Sequence, residues 1–272
     1  MGIFQLNIND MVELDKIYNE DCLTGMQRID DGAVDCIITD LPYGTTCCPW
    51  DCVIPFEPMW EAFRRIIRHN GVICLFATQP FTTALIASNM QDYRYSWIWE
   101  KDSPNGFLNA NYAPLKITED ICVFAPYATV GSLSKTPIKY NPQGVRTVNR
   151  HKRNNPNSTY RASQGYTVGG NKLNSNEEYI QRFEGYPNNI LRFRRDTDCL
   201  HPTQKPVDLI RYLILTYTDV GGVVLDATIG SGTTAVAALM EKRHFIGFET
   251  DKGYYDKAIK RVKMEMQQPR FF

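Results

Sequence analysis

Short apolar runs, alternating with helical spacings, constrain this chain more than any other feature. Residues 34–39, 72–76, 223–225 and 245–248 are each long enough for one buried strand and too short for a buried helix. Residues 16–18, 95–99 and 121–124 read as further strands. Between them, residues 60–68 place Trp60, Phe63, Ile66 and Ile67 on one side of a helix. Residues 207–217, 234–241 and 254–266 read as helices too. Strand–helix alternation of this kind predicts an α/β fold around a parallel sheet. At 272 residues the chain suits one large domain, or one domain carrying a sizeable insert.

The texture changes between residues 131 and 198. Asn, Gly, Ser, Gln, Tyr and Arg dominate there, and aliphatic residues are sparse. This divides the chain into 1–130, an insert over 131–198, and 199–272. The insert holds twelve Lys and Arg against five Asp and Glu. The whole chain has 30 of each sign and a net charge of zero, so an insert at plus seven sits on a remainder at minus seven. A bulk value of zero argues against a nucleic-acid partner, and the segregated value argues for one basic surface facing one polyanion.

The eight Cys are scattered, and Cys36, for one, sits inside an apolar run, the pattern of reduced thiols in a cytoplasmic protein. Cys47, Cys48 and Cys52 have no second pair at zinc-ligand spacing, so no metal is expected. No basic start leads into an apolar core, as a signal peptide would require. The longest apolar stretch, 71–87, is interrupted by Thr78-Gln79-Pro80 and is too short to span a bilayer.

Two loops carry chemistry. The run 223–225 leads into Asp226-Ala227-Thr228-Ile229-Gly230-Ser231-Gly232-Thr233-Thr234 and then a helix. Gly230 and Gly232 permit tight curvature and close approach of a ligand. Downstream, 245–248 ends at Glu249, where a carboxylate can accept bonds from both ribose hydroxyls of a nucleoside. A third Gly is missing and no Lys follows the second, so a cofactor without phosphates fits better than a dinucleotide or a triphosphate. A structural turn followed by a chance acid explains this loop about as well when it stands alone.

The second loop is Asp40-Leu41-Pro42-Tyr43, at the end of the run 34–39. The Asp40 carboxylate and a neighbouring carbonyl, of Leu41 or Pro42, can accept both hydrogens of an exocyclic amine. Pro42 fixes the local backbone, and Tyr43 offers a flat face for a planar base. In isolation, a strand-end turn with a core Tyr is an equal explanation.

Taken together, the tetrad, the 226–234 loop and the run from Phe245 to Tyr255 resemble the amino-methylating DNA methyltransferases that use S-adenosylmethionine. His201-Pro202-Thr203-Gln204-Lys205-Pro206 is similar to a Thr-x-Lys-Pro segment of that family, and Tyr18-Asn19-Glu20-Asp21-Cys22 to its adenosine-contacting acidic motif. The order of motifs, tetrad first and cofactor loop last, resembles the circularly permuted beta group. The resemblance covers nearly the whole chain except the insert. Leu41 departs from the family's Pro, and Ile229 stands where a bulkier residue often precedes Gly-Ser-Gly.

The resemblance implies a Rossmann-like methyltransferase sheet with an inserted target-recognition region. It implies methyl transfer to adenine N6 of a base flipped from duplex DNA, with Asp40, Pro42 and Tyr43 as the catalytic set. Cytosine N4 on the same scaffold is the alternative, and a catalytically silent DNA-binding relative is a third reading. For S-adenosylmethionine it implies Asp21 near the adenine, Glu249 on the ribose, and Thr203 and Lys205 at the methionine carboxylate. Cys22, Asp40, Asp226 and the Gly230, Ser231, Gly232, Thr233 and Thr234 backbone complete that set. The insert would meet DNA through Arg150, Lys152, Arg153, Arg192, Arg194 and Arg195. A restriction–modification role, a homodimer, and docking of the Gln268-Pro269-Arg270-Phe271-Phe272 tail on a sliding clamp are weaker corollaries, the last mostly outweighed by a frayed helix end.

Overall fold

The structure, a computed structural model, describes residues 11–44, 52–131, 133–153, 178–197 and 203–267. In chain order its elements are β1 (Lys16–Tyr18), α1 (Cys22–Met26), β2 (Val34–Asp40), α2 (Phe56–Ile66), β3 (Ile67–Ala77), α3 (Phe81–Ser88), β4 (Tyr93–Asn105) and β5 (Lys116–Phe124). Then follow β6 (Arg146–Arg153), β7 (Glu178–Glu184), β8 (Ile190–Arg192), α4 (Val207–Tyr217), β9 (Val223–Asp226), α5 (Thr233–Met240), β10 (His244–Phe248) and α6 (Lys252–Met266). Cys47, Cys48, the centre of the insert, His201, Pro202 and the tail 268–272 lie outside the described residues.

Eight strands form one sheet in the order β1-β10-β9-β2-β3-β5-β4-β8. Its central strands are apolar on both faces, and that is why they read as continuous runs. Along β2, Cys36 and Ile38 point to one side, where α4, α5 and α6 contribute Leu213, Ala237 and Val262. Val34 and Ile37 point to the other, where α1, α2 and α3 contribute Met26, Phe63 and Leu85. The result is a three-layer α/β/α body.

The sheet departs from the all-parallel expectation at one edge. β5 runs antiparallel to both β3 and β4. Residues 106–115 are all that join β4 to β5, too few for the crossover a parallel pair needs. Helix α3 carries no clear apolar stripe, since Phe81, Thr82 and Leu85 are all buried, so its spacing is silent in the sequence. α1 has five residues, too short for periodicity to register.

The ends of the insert join the main body. β8 pairs in parallel with β4, and Trp99 Nε1 donates to the Phe193 carbonyl at 3.0 Å. Nearer its start, the Asn141 amide donates to the Thr216 carbonyl at 2.7 Å. β6 and β7 form a separate antiparallel pair. No helix among the described residues is long and apolar enough to cross a membrane.

The topology reverses between β9 and β2. These strands are parallel neighbours, with Cys36 opposite Val224 and Ile37 opposite Leu225. From β9 the chain winds outward to β10, and from β2 it winds the other way to β3. Loops leaving the carboxyl ends of two such strands part company and leave a crevice. Asp40 and Asp226 are the last residues of those two strands.

One polar knot lies deep in the core. The Tyr217 hydroxyl, in a fully buried side chain, meets the Tyr95 hydroxyl at 2.8 Å and accepts from Trp97 Nε1 at 2.6 Å. Removing it leaves a buried indole N–H with no partner. Tyr217→Phe should lower unfolding free energy by about 1–3 kcal/mol, read from the urea midpoint with an unchanged slope.

Candidate active site

A cavity of about 550 Å³ opens at the reversal point. Its lining brings together Asp40, Pro42 and Tyr43 with Asp226, Gly230, Ser231, Thr233 and Thr234. Asp21, Cys22, Glu249, Thr203 and Lys205 line the same cavity. Residues far apart in sequence are thus gathered by the strand order.

The two loops are pinned to each other. The Thr39 hydroxyl donates to Asp226 Oδ1 at 2.9 Å and accepts from the Ala227 amide at 2.7 Å. The Thr228 hydroxyl donates to the Asp40 carbonyl at 2.8 Å. Asp226 also accepts from the Thr234 hydroxyl at 2.6 Å and the Thr228 amide at 3.2 Å. Its carboxylate, assigned above to the cofactor, is therefore bonded on both oxygens to the loop itself. Gly232 is not on the cavity wall. At φ +80° it lies against α6, where a Cβ would come within 3.2 Å of Ala258 Cβ.

Glu249 is fixed differently. One carboxylate oxygen accepts from the Gly230 amide at 2.9 Å and the other from the Asp251 amide at 2.8 Å. Burial raises its carboxyl above the ordinary value, with those amides opposing. Each oxygen keeps a lone pair for a further donor. A Cβ at Gly230 would project into open space, its nearest contact being the Thr228 carbonyl at 4.0 Å. Asp21 caps α1 by accepting from the Thr24 amide at 3.0 Å.

Around Asp40 the structure shows a cluster that the sequence reading missed. The Tyr43 hydroxyl lies 2.8 Å from Asp40 Oδ1 and 3.1 Å from Glu119 Oε1. Lys205 Nζ lies 2.5 Å from Asp40 Oδ2 and 3.0 Å from Glu119 Oε1. Lys101 Nζ reaches Glu119 Oε2 at 2.8 Å. Lys205, expected at a cofactor carboxylate with a surface lysine as the alternative, is not at the surface: it is buried against the two acids and lines the cavity. Burial raises the Asp40 carboxyl, Lys205 opposes this and Glu119 adds to it. Burial works to raise Glu119 as well, but Lys205 and Lys101 hold it below its ordinary value. Burial, Asp40 and Glu119 keep Tyr43 protonated, hence a donor. The Tyr43 ring stands 4.9 Å from that of Phe81, centroid to centroid. Glu119 precedes an apolar run on β5, and no spacing rule ties it to residue 40.

Among the described residues, basic side chains of the insert are tied into separate ion pairs. Arg150 on β6 pairs with Glu184 at 2.6 Å, Arg192 with Glu100 at 3.0 Å and Arg195 with Asp102 at 3.1 Å. Arg195 also lines the cavity. Lys152 and Arg194 are exposed, and the side chain of Arg153 is outside the described set. The turn between β4 and β5, flanked by the cavity residues Asn105 and Lys116, exposes Phe107, Leu108 and Tyr112, with Leu108 98% exposed. No cluster of three metal-ligating side chains occurs among the described residues.

The chain matches a family model described as DNA methylase over residues 34–260. It is 24% identical to the Type II methyltransferase M.HindIII of Haemophilus influenzae, over 93% of this chain and 96% of that protein. It is 26% identical to the Type II methyltransferase M.BglII of Bacillus subtilis, over 95% of this chain and 72% of that one. Its fold is similar to the PvuII DNA methyltransferase, titled cytosine-N4-specific, with a TM-score of 0.63, 11% identity and coverage of 94% and 92%. The M1.HpyAVI–SAM complex gives 0.57 and 22% identity, over 90% of this chain and 98% of that one.

Burial raises the Asp226 carboxyl to about 6, with its hydroxyl and amide donors opposing. An acid raised in the fold binds its proton more tightly there than in the unfolded chain. Its contribution to stability is complete below the ordinary aspartate value and is lost as pH rises through about 6. Asp226→Asn should flatten the fall in Tm between about pH 4 and 6. Thermal unfolding of both proteins across that window checks it, and an unchanged slope rejects the assignment.

Proposed function

The chain belongs to the DNA methylase family, and on that premise we propose that it transfers a methyl group from S-adenosylmethionine to adenine N6 in duplex DNA. The observation that carries this reading is the Asp40 carboxylate sharing one cavity with Glu249 and the open backbone above Gly230. A nucleoside cofactor fits the second group. Glu249 has lone pairs for the ribose hydroxyls, Asp21 and Cys22 line the same cavity, and the space above Gly230 takes the methionine part. S-adenosylmethionine supplies an activated sulfonium methyl.

The residues around Asp40 deal with the acceptor base. The N6 amine is a poor nucleophile because its lone pair is delocalised into the ring. Asp40 accepts one N–H, and the carbonyl of Leu41 or Pro42 accepts the other. This draws the nitrogen toward a tetrahedral shape and frees the lone pair to take the methyl as its bond to sulfur breaks; the nitrogen then sheds one proton to the Asp40 carboxylate or to solvent. Fixed donors and acceptors in a water-poor cavity supply the rate by position and electrostatics. Phe81 and two hydroxyl contacts hold the plane of Tyr43, on which a base extruded from the duplex stacks. The apolar turn at Phe107 and Leu108 suits contact with the opened base stack.

Asp at position 40 favours adenine over cytosine within the resemblance. Cytosine N4 is the second reading, because the fold is similar to a cytosine-N4-specific methyltransferase. The Type II relatives support a restriction–modification setting, and a DNA substrate supports a cytoplasmic one. The exposed basic residues of the insert meet phosphates.

Nucleosides from DNA treated with the protein and cofactor should contain N6-methyladenine by mass analysis; N4-methylcytosine alone would overturn the adenine reading. Asp40→Ala should lose transfer by at least about a hundredfold while cofactor affinity, from titration calorimetry, changes little. Glu249→Ala should weaken cofactor binding about tenfold or more. Duplex affinity should fall steeply between about 50 and 200 mM salt, and salt-independent binding would remove the insert from the DNA contact.

A further inference from the structure

We propose that Lys101 and Glu119 are positioning residues that, through Lys205 and Tyr43, keep the Asp40 carboxylate charged and aimed at the substrate amine, an inference that rests on the role given to Asp40 above. Four charges lie in contact: the acids Asp40 and Glu119, and the ammonium groups of Lys205 and Lys101. They sum to zero only when both acids are ionised and both lysines are present. Glu119 and Lys205 are 7% and 9% exposed, so water screens this balance weakly. Lys205 alone cannot balance two carboxylates that both lie within 3.0 Å of it, and such a pair takes up a proton. Lys101, on β4, supplies the missing charge from the far side of Glu119.

Tyr43 adds direction to this balance. It has one hydroxyl hydrogen and two carboxylate neighbours, at 2.8 and 3.1 Å. Donating to Glu119 releases Asp40 Oδ1 for an incoming amine, while Lys205 holds Oδ2. Glu119 is thus the second acceptor that lets Tyr43 let go. Other charged groups also bear on Asp40. Asp226 faces it from the end of β9, and Glu20, Asp21, Glu249, Lys116 and Arg195 share the cavity. Phe76 on β3 and Thr78 just beyond its end carry no charge.

The test is the acid limb of single-turnover methyl transfer, where protonation of Asp40 ends the reaction. Glu119→Gln removes a negative charge and should move that limb about one pH unit lower. Lys101→Met removes a positive charge and should move it higher by a similar amount. The double variant restores neutrality and should return it to the native position. Lys101→Arg keeps the charge and should leave it in place. Carboxyl-carbon NMR of the protein alone, with the Asp40 signal identified by Asp40→Asn, should show the same directions. A purely structural role lowers the rate without opposed shifts. Unmoved limbs in both single variants, shifts of one sign, or a double variant that does not return would each overturn the proposal. Should Lys101→Met fail to fold, Glu119→Gln and Lys101→Arg still decide it. Methylation of cytosine by the native chain would sink the adenine reading and leave the limb test standing. The NMR arm needs neither cofactor nor DNA.

Discussion

The Thr39 hydroxyl holds the site together. It stands at the one place where two parallel neighbours send their chains in opposite directions, and it bonds across that gap to Asp226 and Ala227. Thr228 returns a bond to the Asp40 carbonyl. These contacts set the distance between the strand end that presents Asp40 and the loop that curves through Gly230. Sheet hydrogen bonds fix the strands to within a register, but only side-chain bonds fix how their loops part. The cofactor side and the base side of the cavity therefore share one origin.

The cavity is also an electrostatic arrangement. Asp226 is buried, has no ion pair among the described residues, and is satisfied by hydroxyl and amide donors. Asp40 is half-buried beside a lysine and a second acid. The two aspartates end adjacent strands, yet their surroundings give them different work. One braces a loop and the other faces the substrate. A buried carboxylate in either place would be costly without its partners.

Much of this was legible before any coordinates. The runs 34–39 and 223–225 announced β2 and β9, and the acids that follow them marked the strand ends. Residues 207–217 read as a helix and are α4. The turn residues Gly230 and Gly232 were visible because glycine alone tolerates their backbone and close approach. The antiparallel β5 was not legible, since a four-residue apolar run carries no direction. Neither was α3, a short helix in which Thr82, Thr83 and Ser88 leave no clear apolar stripe. The burial of Lys205 was not legible for another reason. Lysine is ordinarily a surface residue, and only a pair of buried acids, one of them on a distant strand, makes its burial favourable.

The sequence by itself determined an α/β body with a basic insert, the strand-end acids and the glycine turn. These follow from local rules, since periodicity, turn chemistry and charge count act over a few residues. Tertiary structure decided which acids meet which lysines. Glu119 and Lys101 lie on an antiparallel pair at the sheet's edge, and they reach Asp40 only because β5 inserts between β3 and β4. That pairing is a long-range choice of strand order, and strand order is set by burial of the whole sheet rather than by any segment of it.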